Sequence, residues 1–158
     1  MLFSSSSWRG HRLWGYATVE PVAELIKVTG EGLWAGIAAS QPGNRLGDVG
    51  AAISAVAAPY GYGVVREYIG HGIGRQMHEA PDVPNYGKRG RGLKLKPGMA
   101  IAIEPMFNLG KAETEVLEDG WTVVTADRKL SAHWEHTVLI TKEVPVVSTL
   151  PQAKLVKA

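Results

Sequence analysis

The 158-residue chain contains no cysteine. Disulfides, thiolate metal sites and cysteine nucleophiles are therefore excluded, and the composition suits a reducing compartment, the cytoplasm. Any bound metal must be held by His, Asp or Glu, a donor set that suits Mn, Fe, Co or Zn in a catalytic setting. No apolar run approaches the roughly 20 residues needed to cross a bilayer, so no membrane partner is expected. Excess charge is scarce too. With 17 Lys and Arg against 15 Asp and Glu, the formal charge of +2 is too small to argue for nucleic acid. The basic run Lys88-Arg89-Gly90-Arg91-Gly92-Leu93-Lys94 reads as a solvated loop. What remains is ordinary for a globular protein: 45% hydrophobic residues and 20% charged, in a length that fits one domain with a substantial core.

Residues 1–18 show neither helical nor strand period, and Trp8 and Trp14 have nothing evident to pack against. They carry no amphipathic helix or cleavage signal, so a targeting role is discounted. Val22, Leu25, Ile26, Thr29, Leu33 and Ile37 follow helical spacing behind Pro21, and Gly30 and Gly32 weaken this helix without ending it. After the turn Gln41-Pro42-Gly43-Asn44, a second helix presents Leu46, Val49, Ile53, Val56 and Ala57, closed by Gly61 and Gly63. Val64 to Ile69 reads as a strand leading into a glycine-rich loop. Met99 to Glu104 reads as a strand with Met99, Ile101 and Ile103 on one face. Ala100, Ala102 and Glu104 lie on the other, leaving room over it for something bound. Asp119-Gly120 marks a hairpin joining 114–117 to 121–124. Ala132 to Thr141 reads as a single strand that sets Glu135 with His133, Thr137 and Leu139, and the tail after Pro145 reads as irregular.

The stretch Gly70-His71-Gly72-Ile73-Gly74, continuing to His78-Glu79-Ala80-Pro81, packs two histidines beside three alternating glycines. Such a stretch suits metal binding or carbonyl polarisation, or is simply a glycine-rich turn with two ordinary histidines. Three further signatures follow in order: Ile103-Glu104-Pro105-Met106, then Asp119-Gly120-Trp121-Thr122, then Ser131-Ala132-His133-Trp134-Glu135-His136-Thr137. Together they resemble the C-terminal part of a type I methionine aminopeptidase, from about Val22 to Thr141. The resemblance implies an α+β pita-bread fold, cut to its C-terminal half plus the preceding helices. Residues 1–18 would be an unmatched segment, 19–145 a partial catalytic domain and 146–158 a tail.

The resemblance also implies roles. His71, Glu104 and Glu135 would ligate divalent metal, two ions per site in the complete family, with Glu135 bridging them. Glu104 would double as general base, His78 would hydrogen-bond substrate and stabilise the tetrahedral intermediate, and Trp121 would lie near the substrate cleft. Trp121 reads equally well as a packing residue, and His11, His133 and His136 read as non-ligands. The implied reaction removes initiator Met from nascent peptides, with a small apolar pocket for its side chain. Two ligand aspartates and an upstream histidine of the family have no counterpart here, since Asp48, Asp82, Asp119 and Asp127 fall in helix, loop or turn contexts. A frameshift or misplaced start ahead of Val19 would account for this. Weak metal affinity, impaired activity and self-association through an exposed sheet edge are then expected. A non-catalytic module of the same fold is the alternative reading. A proline-directed peptidase of that fold is disfavoured by the wording around Glu104 and Glu135.

Overall fold

The computed structural model describes residues 20–150 and the backbone of 154–155. The expectations for residues 1–18, including Trp8, His11 and Trp14, lie outside the described residues. Two helices come first, α1 (Glu20–Ala39) and α2 (Leu46–Ala57), the second continued by a single 3-10 turn (Ala58–Tyr60). Gly61 ends that turn in the left-handed conformation, φ 66°, in keeping with its position behind the apolar run. The strands follow as β1 (Gly63–Val64), β2 (Gly70–Ile73), β3 (Glu79–Val83), β4 (Ala100–Ile103) and β5 (Met106–Asn108). Then come β6 (Thr114–Val116), β7 (Val123–Thr125), β8 (Ser131–His133), β9 (His136–Leu139), β10 (Val146–Val147) and β11 (Lys154–Leu155).

All pairings are antiparallel. One sheet runs β11-β10-β9-β4-β2-β3, a second β1-β5-β8, and β6-β7 form a separate hairpin. The helical layer covers one face of this platform. Leu25, Val28, Leu33 and Ile37 of α1, with Leu46, Val49 and Ile53 of α2, join Ile101, Ile103, Phe107, Val138 and Ile140 in one buried cluster. These are the faces that periodicity assigned. The mid-helix glycines have a packing cause: a Cβ at Gly32 would lie 2.7 Å from Phe107 Cζ, and one at Gly36 2.7 Å from Ile53 Cγ1. The helix accepts the roughly 1 kcal/mol propensity cost of each glycine so that its backbone can approach the sheet and α2.

Five expectations need correction. The glycine-rich stretch is not a loop: Gly70 to Ile73 is the inner strand β2, paired with both β3 and β4. None of Gly70, Gly72 or Gly74 has positive φ. Cβ atoms at Gly70 and Gly72 would run into the carbonyl oxygens of Ala102 and Ala80, so glycine is there for close strand approach. The preceding segment, read as a strand over 64–69, is extended in a sheet only at Gly63–Val64.

The single strand expected over 132–141 is two strands in two sheets, because Pro105 opposite it lacks an amide hydrogen to continue the ladder. The room foreseen over the alanine face is closed at Ala102, which is fully buried. Finally, the tail after Pro145 is not irregular at its start, since Val146 and Val147 pair with Leu139 and Val138.

The basic run is exposed, but its backbone docks on the start of α2. The amides of Leu46 and Gly47 donate to the carbonyls of Leu93 (3.0 Å) and Arg91 (2.9 Å). Orphan donors at the helix N-terminus are thereby satisfied. Asp48 fastens the same junction, accepting from the amides of Arg45 and Gly90, each at 2.7 Å.

Candidate metal centre

Strands β4 and β5 are one stretch of chain that changes sheet at Glu104-Pro105; β8 and β9 do the same at Trp134-Glu135. The register is continuous through both breaks. Ile103 pairs with His136 and Met106 with His133, which sets Glu104 opposite Glu135 and Pro105 opposite Trp134. One link spans the gap, the Trp134 amide donating to the Pro105 carbonyl at 3.3 Å. The Glu104 carbonyl, outside the ladder, accepts instead from Asn85 Nδ2 at 3.2 Å. Trp134 is anchored on the helical side, its indole Nε1 donating to the Ile26 carbonyl at 3.0 Å. His136 lies on that side as well, with its ring edge-on to Trp34 (5.7 Å) and its Nδ1 2.8 Å from Thr149 Oγ1. Burial holds the His136 imidazole below its ordinary pKa.

Glu104 and Glu135 point to the other side, where β2 brings His71. One donor atom from each of His71, Glu104 and Glu135 lies within 4.8 Å of the other two. The His71 Nε2 to Glu104 Oε1 distance is 3.6 Å, with both side chains only 14% exposed. The Nδ1 of His71 lies 2.9 Å from the Gly72 carbonyl, an oxygen that only accepts, so Nδ1 carries the proton. That leaves the Nε2 lone pair facing a carboxylate.

Two carboxylates directly opposed across an antiparallel pair repel. An imidazolium would balance half of their charge; a divalent cation balances all of it. A neutral imidazole with its far nitrogen hydrogen-bonded to a carbonyl is also how metal-ligating histidines are usually oriented. The donor set therefore fits a divalent ion, and its lack of sulfur fits Mn, Fe, Co or Zn.

The other residues singled out by sequence fall in different places. The His78 ring stands beside His71, centroids 4.0 Å apart and tilted by 40°, with the residue open to solvent. Trp121 tops the β6-β7 hairpin and is 87% exposed, so it is not the packing residue that was one of its two readings. Its turn is held by Asp119, which accepts from the amides of Trp121 (3.0 Å) and Thr122 (2.8 Å) and from the Thr122 hydroxyl. Those hydrogen bonds, the hydroxyl's first, hold the Asp119 carboxyl below its usual range. A cavity of about 190 Å³ lies under the hairpin against Val65, Tyr68, Met106 and Leu130 and contains none of the clustered residues.

The structure brings two further residues to the centre that sequence reasoning had left out of it. Asn85 is fully buried behind Glu104. His133, read as a non-ligand, places Nε2 3.4 Å from Glu104 Oε2. Alternation from Glu135 already put His133 on the acidic face; Asn85 lies in an irregular stretch with no comparable signal.

An imidazole from β2 and two carboxylates from the facing sheet breaks form a group of the histidine–carboxylate type that could hold a metal ion. The chain belongs to Metallopeptidase family M24, whose profile matches residues 11–142. Among curated relatives, methionine aminopeptidase B of Synechocystis is 54% identical over 127 residues, which cover 80% of this chain and 46% of that protein. Among solved structures, methionine aminopeptidase from Rickettsia prowazekii superposes with a TM-score of 0.82 at 46% identity, covering 86% of this chain and 55% of that one. A prolidase from Pyrococcus horikoshii is more distant, with a TM-score of 0.60 and 26% identity, covering 86% of this chain and 33% of that one. The fold is thus pita-bread, and the chain spans about half the length of the curated relatives it matches. Among the described residues no helix is long and apolar enough to cross a membrane.

Proposed function

We propose that His71, Glu104 and Glu135 form a divalent-metal centre that serves the hydrolytic release of N-terminal methionine from peptides in the cytoplasm. The observation that carries this reading is the opposition of Glu104 and Glu135 under an imidazole whose Nε2 lone pair faces them. Relatives named methionine aminopeptidase, about twice as close in identity as the prolidase, support this substrate over a proline-directed one.

Bound there, a divalent ion supplies the Lewis acidity that brings the pKa of water from about 16 toward 7. The protein's own groups do the rest. Glu104, mostly buried and fixed through its carbonyl by Asn85, accepts the proton of the attacking water. His78, solvent-facing beside His71, donates to the scissile carbonyl as negative charge develops on its oxygen, a contribution of roughly 3 kcal/mol when one such donor is lost. Trp121, free on its hairpin, offers an apolar wall to the peptide. Its neighbours Val116 and Leu117 are also exposed, which favours self-association along this edge.

The test is hydrolysis of Met-Ala-Ser with added Mn or Co, using Glu104→Ala as control. Release that is abolished in the variant supports the reading, and equal rates exclude it. Metal binding without hydrolysis would replace it with the non-catalytic module.

A further inference from the structure

His133 is the residue around the centre to which the family resemblance gives no role. Its Nε2 is inaccessible to solvent and makes no hydrogen bond of good geometry with any described residue. Leaving a ring nitrogen buried without a partner is unfavourable, so it calls for an explanation. The nearest charged atom to it is Glu104 Oε2, at 3.4 Å, with the His133 side chain 13% exposed. The position follows from the register. His133 is opposite Met106, making it the diagonal neighbour of Glu104 across the break, a separation an imidazole spans.

We infer that His133 is a positioning residue for Glu104: its Nε2–H holds Oε2, so that Oε1 is presented to His71 and Glu135. The two histidines beside Glu104 then do opposite jobs. His71 commits its proton to the Gly72 carbonyl and keeps Nε2 as a lone pair. His133 has no such carbonyl partner for Nδ1 among the described residues, so its proton is placed on Nε2, beside Oε2. Each Glu104 oxygen thus has its own imidazole, Oε1 at 3.6 Å from His71 and Oε2 at 3.4 Å from His133. Asn85 holds the main chain of the same residue from behind. With a donor on Oε2 and its main chain held by Asn85, the carboxylate turns less freely, so its orientation is biased before any ion arrives. This rests on the metal-centre reading for its consequence, though not for the contact itself.

The contact is tested in the metal-free protein by long-range proton–nitrogen NMR of the histidine rings, with His133→Gln used to assign the resonance. The His133 ring is expected as the Nε2–H tautomer, with a resonance that moves in Glu104→Ala. A lone-pair Nε2, or a resonance indifferent to Glu104→Ala, overturns the inference. The consequence is tested by calorimetric titration of Mn and Co into wild type, His133→Ala and His133→Gln, each first checked by thermal melting in chelator. His133→Ala is expected to weaken binding about 10–100-fold with unchanged stoichiometry. His133→Gln, whose amide nitrogen reaches a similar place, is expected to restore most of the loss. Wild-type affinity in His133→Ala overturns the positioning role, and a loss in His133→Gln as large as in His133→Ala points instead to direct ligation and overturns it too. Failure of wild type to bind either ion, with the NMR contact intact, removes the metal-centre reading and leaves the contact standing.

Discussion

On the helical side of the β4–β9 ladder, Ile101, Ile103 and Val138 are fully buried against α1 and α2. On the opposite side of the same chain segments, His71, Glu104, Glu135 and His133 stand close together with few hydrogen-bond partners. The first face gains from every square ångström it removes from water. The second holds two opposed carboxylates that folding alone makes unfavourable. Stability is generated on one face and used on the other to keep like charges in register.

The largest effect expected on the apolar face comes from Phe107→Ala, which empties the space between α1 and β5. It should cost about 3–5 kcal/mol in urea unfolding while leaving metal affinity per folded molecule unchanged. A loss below about 1 kcal/mol would break the contrast, since that face would then not be the source of stability.

Glu135→Gln should act in the reverse sense. Affinity for Mn should fall at least about 100-fold by calorimetry, beyond the usual effect of an outer contact. In chelator, melting should rise by roughly 1–3 °C, because removing one opposed charge relieves about 0.5 kcal/mol of repulsion. A lower melting temperature in chelator would mean that the carboxylates do not repel.

Gly32→Ala sharpens the helical side. Its new Cβ would sit 2.7 Å from Phe107 Cζ, and the expected cost is about 1–3 kcal/mol despite better helix propensity, read from denaturant midpoints. A stabilised variant would show that the helix-to-sheet distance is slack.

The smallest effect lies away from both faces. Hydrogen bonds from the Gly90 and Arg45 amides, with smaller help from the charges of Arg89 and Arg45, hold the Asp48 carboxyl below its ordinary value. The folded pKa being the lower one, its stabilising contribution is present above the unfolded value of about 3.9 and is lost as pH falls through the folded value. The difference in stability between wild type and Asp48→Asn should therefore be flat from about pH 5 to 8 and close below about pH 4, as measured by urea titration at each pH. A difference that persists at about pH 2 would locate the effect elsewhere.

The helices were readable because their apolar residues recur at 3.6-residue spacing, and Leu25, Leu33, Val49 and Ile53 are buried as that spacing demands. His71, Glu104 and Glu135 were singled out through the family motifs that carry them, and the structure brings one donor atom of each within 4.8 Å of the other two. The glycines of β2 were misread, since a glycine that admits a neighbouring strand looks the same in a sequence as one that turns the chain. The break within 132–141 was invisible locally, because its cause, Pro105, lies on another strand.

Residue order alone settled which side chains could take a proton or a cation, and on which face of its own strand each would stand. Alternation along a strand is a property of the backbone within a few residues. That Glu104 meets Glu135, and that His133 reaches the oxygen His71 does not, depended on the pairing of two segments separated by the whole β6-β7 hairpin. Cross-strand register is fixed by the packed core and the connecting turns acting together, so no local pattern encodes it.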